Sequence, residues 1–578
     1  ALQARLALAY ARHGYIRAAR TVAGELLARG GKLTLGGAET TCEEFLAAHP
    51  ELGRAPLPEL APPLKEKWRV KLAGAALLPG CEEDAQLVLM GLEWVRAIDV
   101  ASGKMLWEFD LKSVIPPGGF NVAARYGTPS SEVDGDAVIL RLGGAIAVLD
   151  RSSGRLRWKG ETADGLNQLQ QYYYRQQGLF RGEGMQSNYS LTDGVLAVQE
   201  SVSRTDQLGR GEVSARLRAL SMDDGKLLWS LVLGKGEETR AGYIPGYGHA
   251  AGGWGTARSR EGALVTWRSR VEQTAGRPGA TAKASLMAVD ACAGLISRRG
   301  ELGNVVPMGL ACDRLICSEP GQRGDGGKLV AFGVDGRKAW EISGAWQLRA
   351  VSSEDSRLVL GGAPSYNRNT GQQEAGKAAV ADAHSGKLIW NSDKREAGSL
   401  PGQTMIVRDR FLSLAVPQGH NWSQPYNSVR RGELECADLS DGRMLWRVPF
   451  LPSGLSGSRV AGRGHLAMVS QRMAYLDADG KPIEAKPGEA FGMRPQPVQP
   501  AAVRRDTVVW LFDMSGGKAV QEWMDPEPPV GKMNGQVFIG GGRVFSGGSG
   551  DAVRDGLLIT TSEAAVLLAP EDPGRSGG

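Results

Sequence analysis

Tyr172-Tyr173-Tyr174-Arg175 is the densest run of recognition chemistry in this chain, and Phe180 and Arg181 follow it closely. Tyr247 with His249, Tyr366 with Arg368, and His420 with Trp422 and Tyr426 form three further groups. Tyr, Trp and Arg combine a broad planar surface with a polar tip, and they are enriched where one molecule binds another. A binding surface and the packing of long loops onto a scaffold account equally well for such groups. His249 and His420 have the chemistry of a base or a metal ligand. With six histidines in 578 residues and no second ligand at short spacing, they read instead as polar loop residues.

Other chemical patterns fail on context. Gly246-Tyr247-Gly248-His249-Ala250-Ala251 fits a G-x-G-x-x-A spacing. Pro245 before it and Gly252-Gly253-Trp254-Gly255 after it leave no strand and helix to hold a dinucleotide. Gly327-Lys328 leads into Leu329 and lacks the spacing of a phosphate loop. No H-E-x-x-H, C-x-x-C-H or G-x-S-x-G segment occurs, so no catalytic residue and no metal ligand is assigned. The six cysteines lack metal-binding spacing. Cys312 and Cys317 flank a turn and leave room for a cross-strand disulfide; buried free thiols are the expectation, and the redox compartment stays open.

The candidate residues lie between copies of a repeat, which must position them. Val95 to Trp107 (V-R-A-I-D-V-A-S-G-K-M-L-W) returns at 147–158, 219–229, 288–298, 331–340, 381–390, 437–446 and 474–484. Its turn glycines are Gly103, Gly154, Gly225, Gly294, Gly336, Gly386, Gly442 and Gly480. Asp99, Asp150, Asp290, Asp382 and Asp438 stand four residues before theirs; Trp107, Trp158, Trp229, Trp340, Trp390 and Trp446 stand four after. A basic residue follows every glycine except Gly294, where Leu295 takes its place. Each copy reads as strand, turn, strand. The Asp carboxylate can hold backbone N–H groups of the turn, and the glycine supplies the left-handed position that a bulged hairpin needs. One buried Trp per copy, removing on the order of 150–250 Å² from water, predicts a wedge between neighbouring sheets.

A hairpin of this size cannot fold alone, and strands such as Ala137 to Leu142 are apolar on both faces. Radially stacked antiparallel sheets meet both demands. The A-x-D-x-x-[ST]-G-[KR]-x-x-W pattern resembles that of PQQ-like, quinoprotein-type β-propellers. The resemblance implies an all-β, closed propeller of four-stranded antiparallel blades over residues 65–570, with eight blades favoured and nine or ten within range. The family contains non-enzymatic binding and assembly proteins as well as dehydrogenases. Its dehydrogenases hold a quinone and Ca²⁺ in the central channel with an Asp and a Trp floor, and many add a disulfide between adjacent cysteines. Adjacent cysteines are absent here, and Asp99 and its equivalents are explained by the turn. A non-enzymatic scaffold with protein partners and no cofactor is therefore the first expectation. A PQQ- and calcium-dependent dehydrogenase is the alternative. By the same resemblance the protein is exported or periplasmic, with envelope association.

Outside the repeat, residues 1–50 carry helical periodicity that resembles a tetratricopeptide unit at Ala7, Tyr10, Gly14 and Ala19, with Thr40 or Thr41 capping a further helix through Ala48. One such unit cannot bury its own face, so further repeats upstream are expected. Residues 51–64 read as a Pro-rich linker and 571–578 as a flexible tail. Lys67 to Leu72 resembles a return strand without its first half, and Gly556 to Leu568 resembles earlier strands without a return, so pairing the two would close the ring. A net charge of +5 without a basic block gives no case for nucleic acid, and no apolar run approaches the ~20 residues of a membrane helix.

Long segments fall at 111–125, 162–185 and 235–250 between copies, and at 205–212, 272–282, 363–376 and 417–432 between a blade's second and third strands. Those connections leave an up-and-down blade on one side, so one face is decorated and the other trimmed. The decorated face carries the Tyr, His, Trp and Arg groups and is the candidate site.

Overall fold

The computed structural model describes residues 2–114, 131–161, 183–319, 327–391, 403–415, 432–450, 458–481, 502–532 and 549–571, with short breaks inside several of these ranges. Among the described residues nine antiparallel sheets are built on four strands each. Blade 1 consists of Ala76–Leu77, Gln86–Met90, Trp94–Asp99 and Met105–Asp110, here termed strands A to D. Blades 2 to 8 occupy residues 132–161, 183–239, 254–303, 306–343, 346–391, 403–450 and 458–524 in the same A-to-D order. The ninth is the closure blade, with strands A to C at Ser549–Val553, Gly556–Thr560 and Ala564–Pro570. Its D strand, Leu64–Lys71, comes from the other end of the chain, with Trp68 opposite Leu567 and Lys71 opposite Ala564. The Leu72 amide then donates to the Glu563 carbonyl at 2.8 Å. The ring closes as the two incomplete repeats imply.

Nine blades rather than eight follow from two features. The closure blade has no tight turn between its C and D strands and so escapes a count of turns. The turn at Asp479-Gly480 is not a C–D turn: it follows strand B of blade 8, His465–Leu476, and precedes strand C, Ala502–Asp513. The C–D turn of blade 8 runs from Asp513 to Gly517. Both glycines are left-handed, but only Gly517 lies against an indole, that of Trp446; nothing lies within 4 Å of a Cβ placed on Gly480.

The repeat folds as its residues dictate. Asp99 Oδ2 accepts from the Ser102 amide at 2.8 Å and from its hydroxyl at 2.6 Å, while the Gly103 amide donates to the Asp99 carbonyl at 2.8 Å. Gly103 has φ +70°, and a Cβ there would stand 2.7 Å from the Trp68 ring. Glycine is thus required twice, by backbone conformation and by the indole. Each such indole stacks on the turn glycine of the following blade and donates its N–H to the carbonyl one residue beyond that blade's Asp position. Trp68 reaches Val100, Trp107 reaches Arg151, Trp158 reaches Met222 and Trp229 reaches Ala291. Trp340, Trp390 and Trp446 reach Ala383, Leu439 and Met514. Seven of the nine seams are wedged in this way. At the seam of blades 4 and 5, where Arg298 stands at the Trp position and is exposed, Gly336 meets the Gly300 backbone instead. At the seam of blade 8 and the closure blade, Gln521 holds both the N–H and the carbonyl of Leu64.

The N-terminal segment forms helices α1 (Leu2–Arg12), α2 (Ile16–Arg29) and α3 (Cys42–Ala48), with a small hairpin, Lys32–Leu35 with Ala38–Thr41, between the last two. Thr41 caps α3 in a reciprocal box with Glu44. The tetratricopeptide resemblance finds no support. The hairpin and α3 complete a local core of Ala4, Ala7, Ala19, Ala23, Leu26, Leu33, Cys42, Phe45 and Leu52, so the module buries its own apolar face. Leu60, in the Pro-rich segment, is fully buried against Gly462 of blade 8.

Candidate functional site: the two faces of the ring

The A–B and C–D turns leave the blades on one side of the ring, and the B–C and blade-to-blade connections leave on the other. On the turn side the carboxylates are committed to structure. Asp150 accepts from Ser152, Ser153 and Arg157; burial alone would raise its pKa, but these hydrogen bonds prevail and hold it well below the usual range. Hydrogen bonds from Ser440 and from Ser515 likewise lower Asp438 and Asp513. Among the described residues no group of three His, Cys, Asp or Glu converges to hold a metal ion.

The sequence-derived candidates fall mainly outside the described residues: Tyr172, Tyr173, Tyr174, Arg175, Phe180, Arg181, Tyr247, Arg368, His420, Trp422 and Tyr426 are among these. Two are placed by their backbones. His249 pairs with Tyr243 in a hairpin of Gly242–Ile244 with Gly248–Ala250, on the connection between blades 3 and 4. Tyr366 pairs with Gln373 in a hairpin of Ser365–Asn367 with Gln372–Glu374, between strands B and C of blade 6. Both hairpins belong to the side opposite the tight turns.

Sequence reading missed two arrangements, because their members are distant in the chain. On blade 6, Ser356, left-handed at φ +52°, places its Oγ 3.0 Å from His384 Nε2. The nearby Asp382 is taken by Ser385 and Arg357, so it does not complete a nucleophilic relay. The second arrangement seats the helical module on the turn side of blades 1 and 2. Asp84, in the A–B connection of blade 1, accepts from the Ile16 amide at the start of α2 at 2.7 Å and from Arg151 of blade 2 at 2.6 Å. Both charged side chains are 1% exposed. The Arg151 guanidinium also donates to the carbonyl of Gln86 and lies 4.6 Å over the Tyr15 ring. Arg20 of α2 pairs with Glu83. All six cysteines are free thiols; Cys292 is exposed and the other five are buried. Burial raises the Cys81 thiol to about 12 and the Cys436 thiol to about 11, which leaves both unreactive.

Fold and turn chemistry together define the class: a nine-bladed β-propeller of four-stranded antiparallel blades. A family profile described as "Outer membrane protein assembly factor BamB" matches residues 64–171, the closure strand and the first two blades. No curated protein matches the chain. Among solved structures it is similar to the quinohemoprotein alcohol dehydrogenase ADHIIG of Pseudomonas putida HK5, at 12% identity over 70% of this chain and 72% of that one, with a TM-score of 0.36. It is similar also to BamB of Moraxella catarrhalis, at 14% identity over 61% of this chain and 94% of that one, with a TM-score of 0.27.

Proposed function

We propose that the protein is a non-enzymatic binding or assembly scaffold that holds a protein partner through the connections on the open side of the ring. The observation that supports this reading is sidedness. The tight-turn side carries structural carboxylates, wedged indoles and, over blades 1 and 2, the seated helical module, whereas the long connections, the A–B loop of blade 1 apart, leave from the other side. The partner-binding residues are then Tyr172, Tyr173, Tyr174, Arg175, Tyr247, His249, Tyr366, Arg368, His420, Trp422 and Tyr426. An exported or periplasmic setting with envelope association belongs to the same reading, since the profile matched over residues 64–171 describes an outer membrane assembly factor. No helix among the described residues is long and apolar enough to cross a membrane.

A thermal melt with PQQ and Ca²⁺ separates this function from the dehydrogenase. A ligand at 100 times its dissociation constant stabilises a fold by about 2.7 kcal/mol. The scaffold reading expects no shift and no alcohol-dependent dye reduction. A clear shift with either activity or tight binding refutes it.

A further inference from the structure

The nine D strands form the outer rim of the ring. Each has one edge paired with strand C, and among the described residues the other edge pairs with nothing. An open edge recruits further strands unless it is short, charged or broken by proline. Eight of the nine are protected in this way. Seven carry a charged residue within their first four positions, as Glu108 does in blade 1 and Arg447 in blade 7, and that of blade 6, Leu388–Asn391, is only 4 residues long. Strand D of blade 3, Leu227–Thr239, is the exception. At 13 residues it is the longest D strand, and it runs from Leu227 through Gly234 before its first charge, Lys235. Alternation turns Trp229, Leu231 and Leu233 toward blade 4, where they pack with Leu264, Met287 and Val289. Leu228, Ser230 and Val232 are left exposed on the other face, Val232 to 69%.

Blade 8 shows how the chain itself covers such a length. Its strand C, Ala502–Asp513, outruns strand D, which is paired with Val508 to Phe512. Val530–Lys532 of the same chain then pairs with Ala502, Val503 and Arg504 as an added strand. The D edge of blade 3 has no such cover among the described residues. A bulge bends that strand at Leu233, which has no partner in strand C between Val232, opposite Arg216, and Gly234, opposite Ala215. A second copy of the rigid blade could therefore meet only the stretch up to Val232, whereas a separate extended segment can follow the bend to Thr239. We propose that a protein partner lays such a segment along this edge as a fifth strand of blade 3, uncharged and β-branched beside Leu228 to Leu233 and polar beside Lys235 to Thr239. The edge lies on the rim, so this site stands apart from the open-side surface and does not rest on it.

The test pans a displayed library of random short peptides on the immobilised full chain and measures each enriched peptide by fluorescence anisotropy. Uncharged, β-branched peptides should be enriched. Val232→Lys should weaken their binding about tenfold with no change in melting temperature, because the side chain is exposed and a lysine blocks the edge. Leu106→Lys, an equivalent change on the rim of blade 1, should leave their affinity unchanged. N-methylation along a peptide should weaken binding at every second position, since alternate amides of an added strand face the edge. That readout needs no variant of the protein and decides the matter if Val232→Lys fails to fold. The added strand is overturned if no peptide is enriched, if Val232→Lys alters no affinity, if Leu106→Lys weakens binding equally, or if N-methylation shows no alternation. It is overturned also if the wild-type chain dimerises on size-exclusion chromatography and Val232→Lys abolishes the dimer, since the edge then pairs with a second copy of itself.

Discussion

At the scale of single residues, each recurring position of the repeat has one mechanical task. The Asp holds the turn amides, the glycine supplies a left-handed backbone and a flat floor, and the Trp of the preceding blade rests on that floor. Trp107 is 9% exposed and hydrogen-bonded to Arg151. Trp107→Ala should cost about 3–5 kcal/mol in denaturant unfolding, the range for large core truncations, and a loss below roughly 1 kcal/mol would remove the wedge. Asp84→Asn leaves the Arg151 charge buried without its counter-ion, a change expected to cost about 3–5 kcal/mol. Asp555→Asn, which breaks a half-exposed pair with Lys67, should cost under about 1 kcal/mol by the same measurement. These tasks were legible in the sequence wherever they are local: Asp99, Ser102 and Gly103 lie within five positions. The Asp84–Arg151 pair spans 67 positions and leaves no periodic trace.

Among the elements, the closure strand matters most, because it alone joins the two ends of the described chain in one sheet. Its pairing was readable from two half-repeats, each lacking what the other had. The helical module was legible only as helices. Its hairpin at 32–41 is short, and its seat depends on the side chains of a loop with no pattern of its own. Truncation separates the two roles. Removing residues 1–74 takes away Leu64–Lys71, leaves the edge of Ala564–Pro570 unpaired, and should cause aggregation on size-exclusion chromatography. Removing residues 1–57 keeps the closure strand and Leu60, so the ring should elute without aggregating. It uncovers Asp84 and Arg151, so its melting temperature should fall. Equal behaviour of the two truncations would contradict the closure role.

For the whole molecule, nine blades fall within the eight to ten that the repeats allow, and the turn at Asp479-Gly480 shows why the count was not sharper: its local turn chemistry matches the repeat but no neighbouring indole answers it. Tertiary contact, not the turn, makes a blade. The sidedness of the ring was legible from connection lengths, and the helical module reinforces it by occupying the turn side. A scaffold built this way should meet its partner on the open side. The most direct measurement installs a photo-reactive phenylalanine analogue singly at Tyr173, Trp422, Ser102 and Ser440 in the full chain, with cross-linking in the native cell and identification of the adduct. The same protein should be captured from Tyr173 and Trp422, and neither Ser102 nor Ser440 should capture it. Capture from the Ser102 and Ser440 positions alone, or from none of the four, would contradict the account.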